Sequence, residues 1–175
     1  MKRMEDKEIF LIDANILITA KNAFYPFDLA MAFWEQLKYH IENKNIIILK
    51  KMADEIFKGT DELSEWLAQF DEKLFLNYSD SRILIEYRDV LQHLRDSQYY
   101  KESALMEWSR ENVADPWLIA AAKAKGYTLI TWEVSAGVRS IVNKSRNAKI
   151  YDVCDDMNVP CKNLYYMMRR LGIKL

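Results

Sequence analysis

Ile9-Phe10-Leu11-Ile12-Asp13-Ala14-Asn15-Ile16-Leu17-Ile18 is the stretch from which the fold is read. Its apolar opening, which includes β-branched residues, breaks on an acid. An uninterrupted apolar run of this length is the pattern of a strand buried on both faces of a parallel sheet. Such a strand delivers Asp13 to the C-terminal edge, where open α/β sheets bind ligands. The same pattern allows Asp13 a second role, capping the helix that follows, because an aspartate there accepts bonds from orphan N–H groups.

Outward from that strand, Ala14 to Ala23 reads as a helix that stops before Phe24-Tyr25-Pro26, since the residue before a proline avoids helical geometry. A second helix is expected from Phe27 to Asn43, with Phe33, Trp34, Leu37 and Ile41 on its core side. Ile46-Ile47-Ile48-Leu49 is a second buried strand and leads into a helix from Lys50, closed by Gly59. There Met52, Ala53, Ile56 and Phe57 form the apolar face, and periodicity does not choose between Asp54 and Glu55 as the acid beside it. Thr60 opens a further helical stretch as a capping residue, and Leu74-Phe75-Leu76 reads as a short extended piece. Helices follow from Ser79 to about Ser97 and from Tyr100 to Arg110. Asp115 as N-cap and Pro116 at the first helical position predict a helix that ends at Gly126. The strand Tyr127-Thr128-Leu129-Ile130-Thr131 then runs into Trp132 and Glu133. Another strand is expected near Lys149-Ile150-Tyr151, and two short helical patterns close the chain, the second with Leu164, Tyr165, Met168 and Leu171.

This alternation predicts an α/β fold with a mainly parallel sheet wrapped by helices. Asp13 and the Thr131–Glu133 turn then share one sheet edge. Topology alone leaves the placement of Asp115 open. With 175 residues and no linker or repeat, the chain reads as a single domain spanning residues 1–175. Its 25 basic and 26 acidic residues leave a net charge of −1, so affinity for nucleic acid must come from local patches. The apolar runs are strand-length, far short of the roughly 20 residues of a bilayer span. Met1 to Glu8 lacks the apolar core of a signal peptide, so a cytoplasmic location without a membrane partner is expected. Cys154 and Cys161 are the only cysteines, too few for a structural zinc site, and read as reduced packing residues. His40 and His93 lie far apart in sequence and give Ser/His/Asp or Cys/His catalysis little support.

Three motifs carry a family resemblance. Ile9 to Leu17 resembles the opening signature of PIN-domain nucleases, and Val113-Ala114-Asp115-Pro116-Trp117-Leu118-Ile119-Ala120-Ala121-Ala122 resembles their second acidic motif. Leu129-Ile130-Thr131-Trp132-Glu133 falls where those proteins have a strand, a Thr or Ser and another acid. Tyr25-Pro26-Phe27-Asp28, Trp117 and Tyr151-Asp152-Val153-Cys154 are similar, more narrowly, to a bacterial and archaeal PIN-like subgroup related to toxin ribonucleases.

The resemblance implies a three-layer α/β/α sandwich and an acidic site that binds Mg²⁺ or Mn²⁺ and hydrolyses RNA phosphodiesters, as in toxin-antitoxin pairs. Carried over, Asp13 and Asp115 match the metal-binding aspartates and Glu55 matches the acid on the helix after the second strand. Asn15 and Thr131 match the supporting polar residues. Glu133 takes the fourth acidic position, where aspartate is commoner, and its longer side chain leaves a direct metal contact open. An antitoxin protein and a homodimer are the partners expected beside the RNA.

The residue types suit that chemistry independently. Hard divalent cations choose oxygen ligands, and clustered carboxylates repel one another and a phosphate until a cation joins them. One metal or two is left open. Arg139, Lys144, Arg146 and Lys149 are the candidate contacts to backbone phosphates, with Lys50 and Lys51 a weaker second patch. Trp132 is a candidate for stacking on a base, against core packing. The alternative from another functional class is a catalytically inactive PIN-like module that binds RNA or protein. Phosphatase chemistry on Asp13 ranks last, because it wants a second aspartate two residues on and Asn15 stands there.

Overall fold

The computed structural model describes residues 7–175. Met1 to Asp6, which belong to the stretch read as lacking a signal-peptide core, lie outside the described residues. The chain is a five-stranded, all-parallel sheet flanked by helices, in the order β3-β2-β1-β4-β5. This is the parallel sheet wrapped by helices expected from the alternation of elements, and it agrees with the α/β/α sandwich that the resemblance implies.

The opening run forms β1 (Phe10–Ile12), the central strand, with all three side chains fully buried. Each such burial contributes about 1.5–3 kcal/mol. β2 (Ile46–Leu49) lies on one side of β1 and β4 (Thr128–Ile130) on the other. β3 (Phe75–Leu76) and β5 (Cys161–Lys162) are two-residue edge strands. The strand order reverses direction between β1 and β4, which makes the crevice outside their carboxyl ends the switch point where such sheets take ligands. Ile12 pairs with Ile130, and the Asp13 amide donates to the Ile130 carbonyl at 2.9 Å, so Asp13 and Thr131 leave the sheet side by side.

α1 (Ala14–Thr19) follows β1 and continues as one π-turn over Ala20–Phe24, closed by the Tyr25 amide donating to the Ala20 carbonyl. α2 (Met31–Glu42) starts later than its periodicity suggests. Residues 27–30 form a turn in which Leu29 and Ala30 donate to the Pro26 carbonyl, while Phe27 stacks on Trp34 at 4.1 Å. Phe27 is thus a packing residue although it is not helical. α3 (Lys50–Ile56) follows β2 directly and is capped by Phe57, with Gly59 lying beyond it. α4 (Glu62–Leu67) is capped by Asp61, not Thr60; the Asp61 carboxylate accepts from the Ser64 amide at 3.1 Å. The long α5 (Ser81–Asp96) packs against α7 (Asp115–Lys125), with the shorter α6 (Glu102–Trp108) between them in sequence.

One expectation near the C-terminus is corrected. Lys149-Ile150-Tyr151 is not a strand: Ile150 begins α8 (Ile150–Asp156), which buries Ile150, Val153 and Cys154 at helical spacing. The helix starts there because the Glu133 carboxylate accepts from the Ile150 amide at 2.8 Å. The fifth strand lies instead at Cys161–Lys162, ahead of α9 (Leu164–Leu171). Both cysteines are free thiols, and Cys154 is buried. Among the described residues no helix is long and apolar enough to cross a membrane.

Candidate functional site

Four chain segments bring carboxylates to the edge where β1 and β4 end. Asp13 follows β1 at the carboxyl edge of the sheet, and its side chain also caps α1. It is only 4% exposed, its Oδ2 accepts from the Thr131 hydroxyl at 3.0 Å, and its Oδ1 accepts from the Asn15 amide at 3.4 Å. Burial holds the Asp13 carboxyl above its ordinary range; the bonds from Thr131 and Asn15 oppose that rise, and the Glu133 charge adds to it. Thr131 is itself buried and also accepts from the Glu133 amide at 3.1 Å, which ties the β4 turn to Asp13.

Asp115 does not cap α7, as the sequence pattern suggested. Ala114 occupies the cap position, Asp115 is the first helical residue with Pro116 behind it, and no side chain caps this end. Its carboxylate is therefore not spent on its own helix. Burial pushes the Asp115 carboxyl up to about 7, reinforced in turn by the charges of Asp13, Glu133 and Glu55 and opposed by Lys149. Asp13, Glu133 and Glu55 thus lie near enough to Asp115 to act on its charge, and Glu133 acts on Asp13 as well.

The topological question about Asp115 has a simple answer. α7 ends at Gly126, in the left-handed conformation with φ 71°, and β4 starts at Thr128. So short a reversal makes α7 run antiparallel to β4, and its first turn lies at the edge where β4 ends. Glu55 enters from α3, which leaves the same edge of β2, and its side chain is exposed. Asp54, the alternative that periodicity left open, pairs with Lys50 at 3.6 Å.

Glu133 is held more firmly than a turn residue. Its Oε2 takes the Ile150 amide at 2.8 Å and its Oε1 lies 3.7 Å from Lys149 Nζ. It stabilises the start of α8 and presents one edge to the cluster. Among the described residues, no three His, Cys, Asp or Glu side chains stand close enough together to hold a metal ion as placed. The donor set nevertheless fits a hard divalent cation: every donor is a carboxylate, amide or hydroxyl oxygen, and Mg²⁺ characteristically keeps several waters beside one or two carboxylates. Asp13 and Asp115 are the pair whose repulsion such a cation relieves.

The four candidate phosphate contacts separate. Lys149 sits at the acids. Arg139 is engaged elsewhere, forming a two-pronged ion pair with Asp156 at 2.5 and 2.6 Å while stacking 4.6 Å above the Tyr99 ring. Lys144 and Arg146 flank Ser145, which exchanges backbone bonds with Tyr99 and Lys101, and Lys144 faces a hollow with Arg95, Tyr100 and Glu102. Trp132 packs beside Phe24 and Tyr165, with centroids at 5.2 and 5.5 Å. Two features were not anticipated. Asp152, only 5% exposed, accepts from the Ala136 amide at 3.0 Å and holds down the loop after Glu133. A cleft beside Glu55 is lined by Lys51, Lys58, Tyr78 and Asn112. The first had no periodic signal, and the second joins three segments that sequence spacing does not connect.

No curated protein and no solved structure matches the chain. Over residues 10–175, which include all four acids, the chain matches and so belongs to the family described as a domain of unknown function, DUF4411.

Proposed function

We propose that the chain is a metal-dependent endoribonuclease of the PIN-like kind, acting as the toxin of a toxin-antitoxin pair in the cytoplasm. The observation that carries the hydrolase reading is geometric: Asp13 and Thr131 leave the carboxyl edge of β1 and β4 side by side, joined by the 3.0 Å hydroxyl–carboxylate bond, and the buried Asp115 carboxyl lies near enough to Asp13, Glu133 and Glu55 for their charges to push it up. Acids gathered where they destabilise one another mark a functional site more often than a structural one. The toxin role, the antitoxin and a homodimer rest on the resemblance of the three acidic motifs.

Asp13 and Asp115 are the residues that would hold Mg²⁺ or Mn²⁺. When bound, the ion supplies a water-derived nucleophile at neutral pH and charge for the leaving oxygen. Thr131 fixes the Asp13 carboxylate through the 3.0 Å bond, and Asn15 supports its other oxygen. Glu133 orders the wall of the site through Ile150 and keeps Lys149 close, where the ammonium meets a phosphate. Glu55 lines the open side. In the overall step a water oxygen adds to phosphorus, one phosphodiester P–O bond breaks, and the leaving oxygen takes up a proton.

The reading is tested by incubating single-stranded RNA with the protein and Mn²⁺. Cleavage is expected, abolished by chelator and reduced at least 100-fold in Asp13→Asn and Asp115→Asn; full activity in both variants would remove it. A second reading, a catalytically inactive module that binds RNA or protein, is favoured by one observation: among the described residues no three His, Cys, Asp or Glu side chains are grouped closely enough to hold a metal ion. Mn²⁺ uptake separates the two.

A further inference from the structure

The cleft on the α3 side of the acids has features that the hydrolysis scheme does not use. It measures about 390 Å³ and is lined by Lys51, Asp54 and Glu55 of α3, together with Lys58, Tyr78, Glu111 and Asn112. Lys51 stands one helical turn before Glu55, so both project from the same stripe of α3. Its ammonium lies 5.1 Å from the centre of the Tyr78 ring and 5.6 Å from that of Trp117. Trp117 is itself held at 3.8 Å by a stacked Tyr87, and it sits two residues after Asp115. The helix that supplies an acid thus also supplies the ring that positions Lys51.

The charges of the cleft are only partly matched. Lys50 takes Asp54, whereas Lys51 and Lys58 form no ion pair among the described residues. A lysine in water gains little from lying over two rings unless its position matters, because the stem loses rotamer freedom there. Lys51, placed over the two rings, and the exposed Lys58 offer ammonium donors beside the Tyr78 and Asn112 side chains for a phosphate oxygen, and they offset the Glu55 and Glu111 carboxylates that line the same cleft.

The geometry points to this cleft as the seat of a backbone phosphate of the RNA strand adjacent to the scissile one, with Lys51 and Lys58 as its binding residues. The inference rests on the ribonuclease reading. It assigns the strand a path: past Lys149 at the β4 side, across the acids, and out over α3. Lys51 and Lys58 replace Arg139, whose guanidinium is held by Asp156. Tyr78 and Trp117 act through Lys51 and are positioning residues.

The test measures binding apart from hydrolysis, in the full-length Asp115→Asn chain with a short fluorescent single-stranded RNA. Lys51→Met and Lys58→Met are each expected to weaken binding about 5- to 10-fold. Each is also expected to lower the slope of log affinity against log salt by about 0.7, the value for one lost contact to a single strand. Lys51→Arg is expected to restore most of the affinity. A Lys51→Met chain that melts at the parent temperature but binds with unchanged affinity and slope overturns the inference while leaving RNA cleavage by the wild-type chain intact. Failure of the Asp115→Asn parent to bind RNA also overturns it, and wild-type cleavage then shows whether the ribonuclease reading has fallen too.

Discussion

Asp115→Asn should make the metal-free protein more stable, by an amount that grows as pH rises from 3.8 to about 7 and is constant above that. In the unfolded chain this carboxyl titrates at the ordinary 3.8, whereas in the folded chain burial and three neighbouring acids hold it at about 7. Between those values the native state binds more protons than the unfolded state, so this group subtracts stability as pH rises through the window and subtracts a constant amount above it. At about 1.36 kcal/mol per unit, a rise from 3.8 to about 7 corresponds to roughly 4 kcal/mol. Asparagine keeps the shape and removes the charge, but still bears the cost of burying an amide. A gain of about 2–3 kcal/mol at pH 8 is therefore expected. At about 2–4 °C per kcal/mol for a chain of this size, the melting temperature should rise on the order of 5–10 °C. Thermal melts of both proteins in chelator from pH 4.5 to 8.5 measure this, and the gain should shrink towards zero at the acid end. A variant less stable than wild type by the same margin at every pH would refute the reasoning, because it would mean that the carboxylate makes favourable native bonds.

Thr131→Val should cost about 1.5–3 kcal/mol in urea unfolding, since it removes the only side-chain hydroxyl donor to a buried carboxylate among the described residues, while Thr131→Ser should cost much less. Arg139→Met should lower stability by about 1–2 kcal/mol through loss of the Asp156 pair, yet leave RNA affinity within twofold of wild type, as fluorescence anisotropy would show. Glu133→Ala should cost about 1 kcal/mol by uncapping Ile150, and hydrogen exchange should locate the loosening in the first turn of α8.

Much of the site was legible because parallel sheets impose a simple rule on where strand ends point. The apolar runs 9–12 and 46–49 and the strand before Thr131 needed no more than length and burial to be placed, and with them came Asp13 and Thr131. Asp115 was harder. Its Asp-Pro start imitates a cap, and only the tight Gly126 reversal, which makes α7 antiparallel to β4, carries it to the same edge. The glycine that makes the reversal is in the sequence, but how tightly it turns α7 back onto β4 is visible only in the fold. Ile150 and Tyr151 are both β-formers by residue type, whereas what decides the conformation at Ile150 is a carboxylate 17 residues away. β5 has two residues, neither β-branched, and owes its conformation to pairing with β4. The fates of Arg139 and Lys51 were equally hidden, since their partners Asp156, Tyr78 and Trp117 lie on other elements.

The central claim is that Asp13 and Asp115 share one divalent cation. Mn²⁺ titration followed by electron paramagnetic resonance tests it without relying on activity or on a chosen RNA. Saturable uptake below millimolar Mn²⁺ is expected for the wild-type chain, with at least a tenfold loss of affinity in Asp13→Asn and in Asp115→Asn. No uptake at millimolar Mn²⁺, or uptake that both variants retain unchanged, would contradict it.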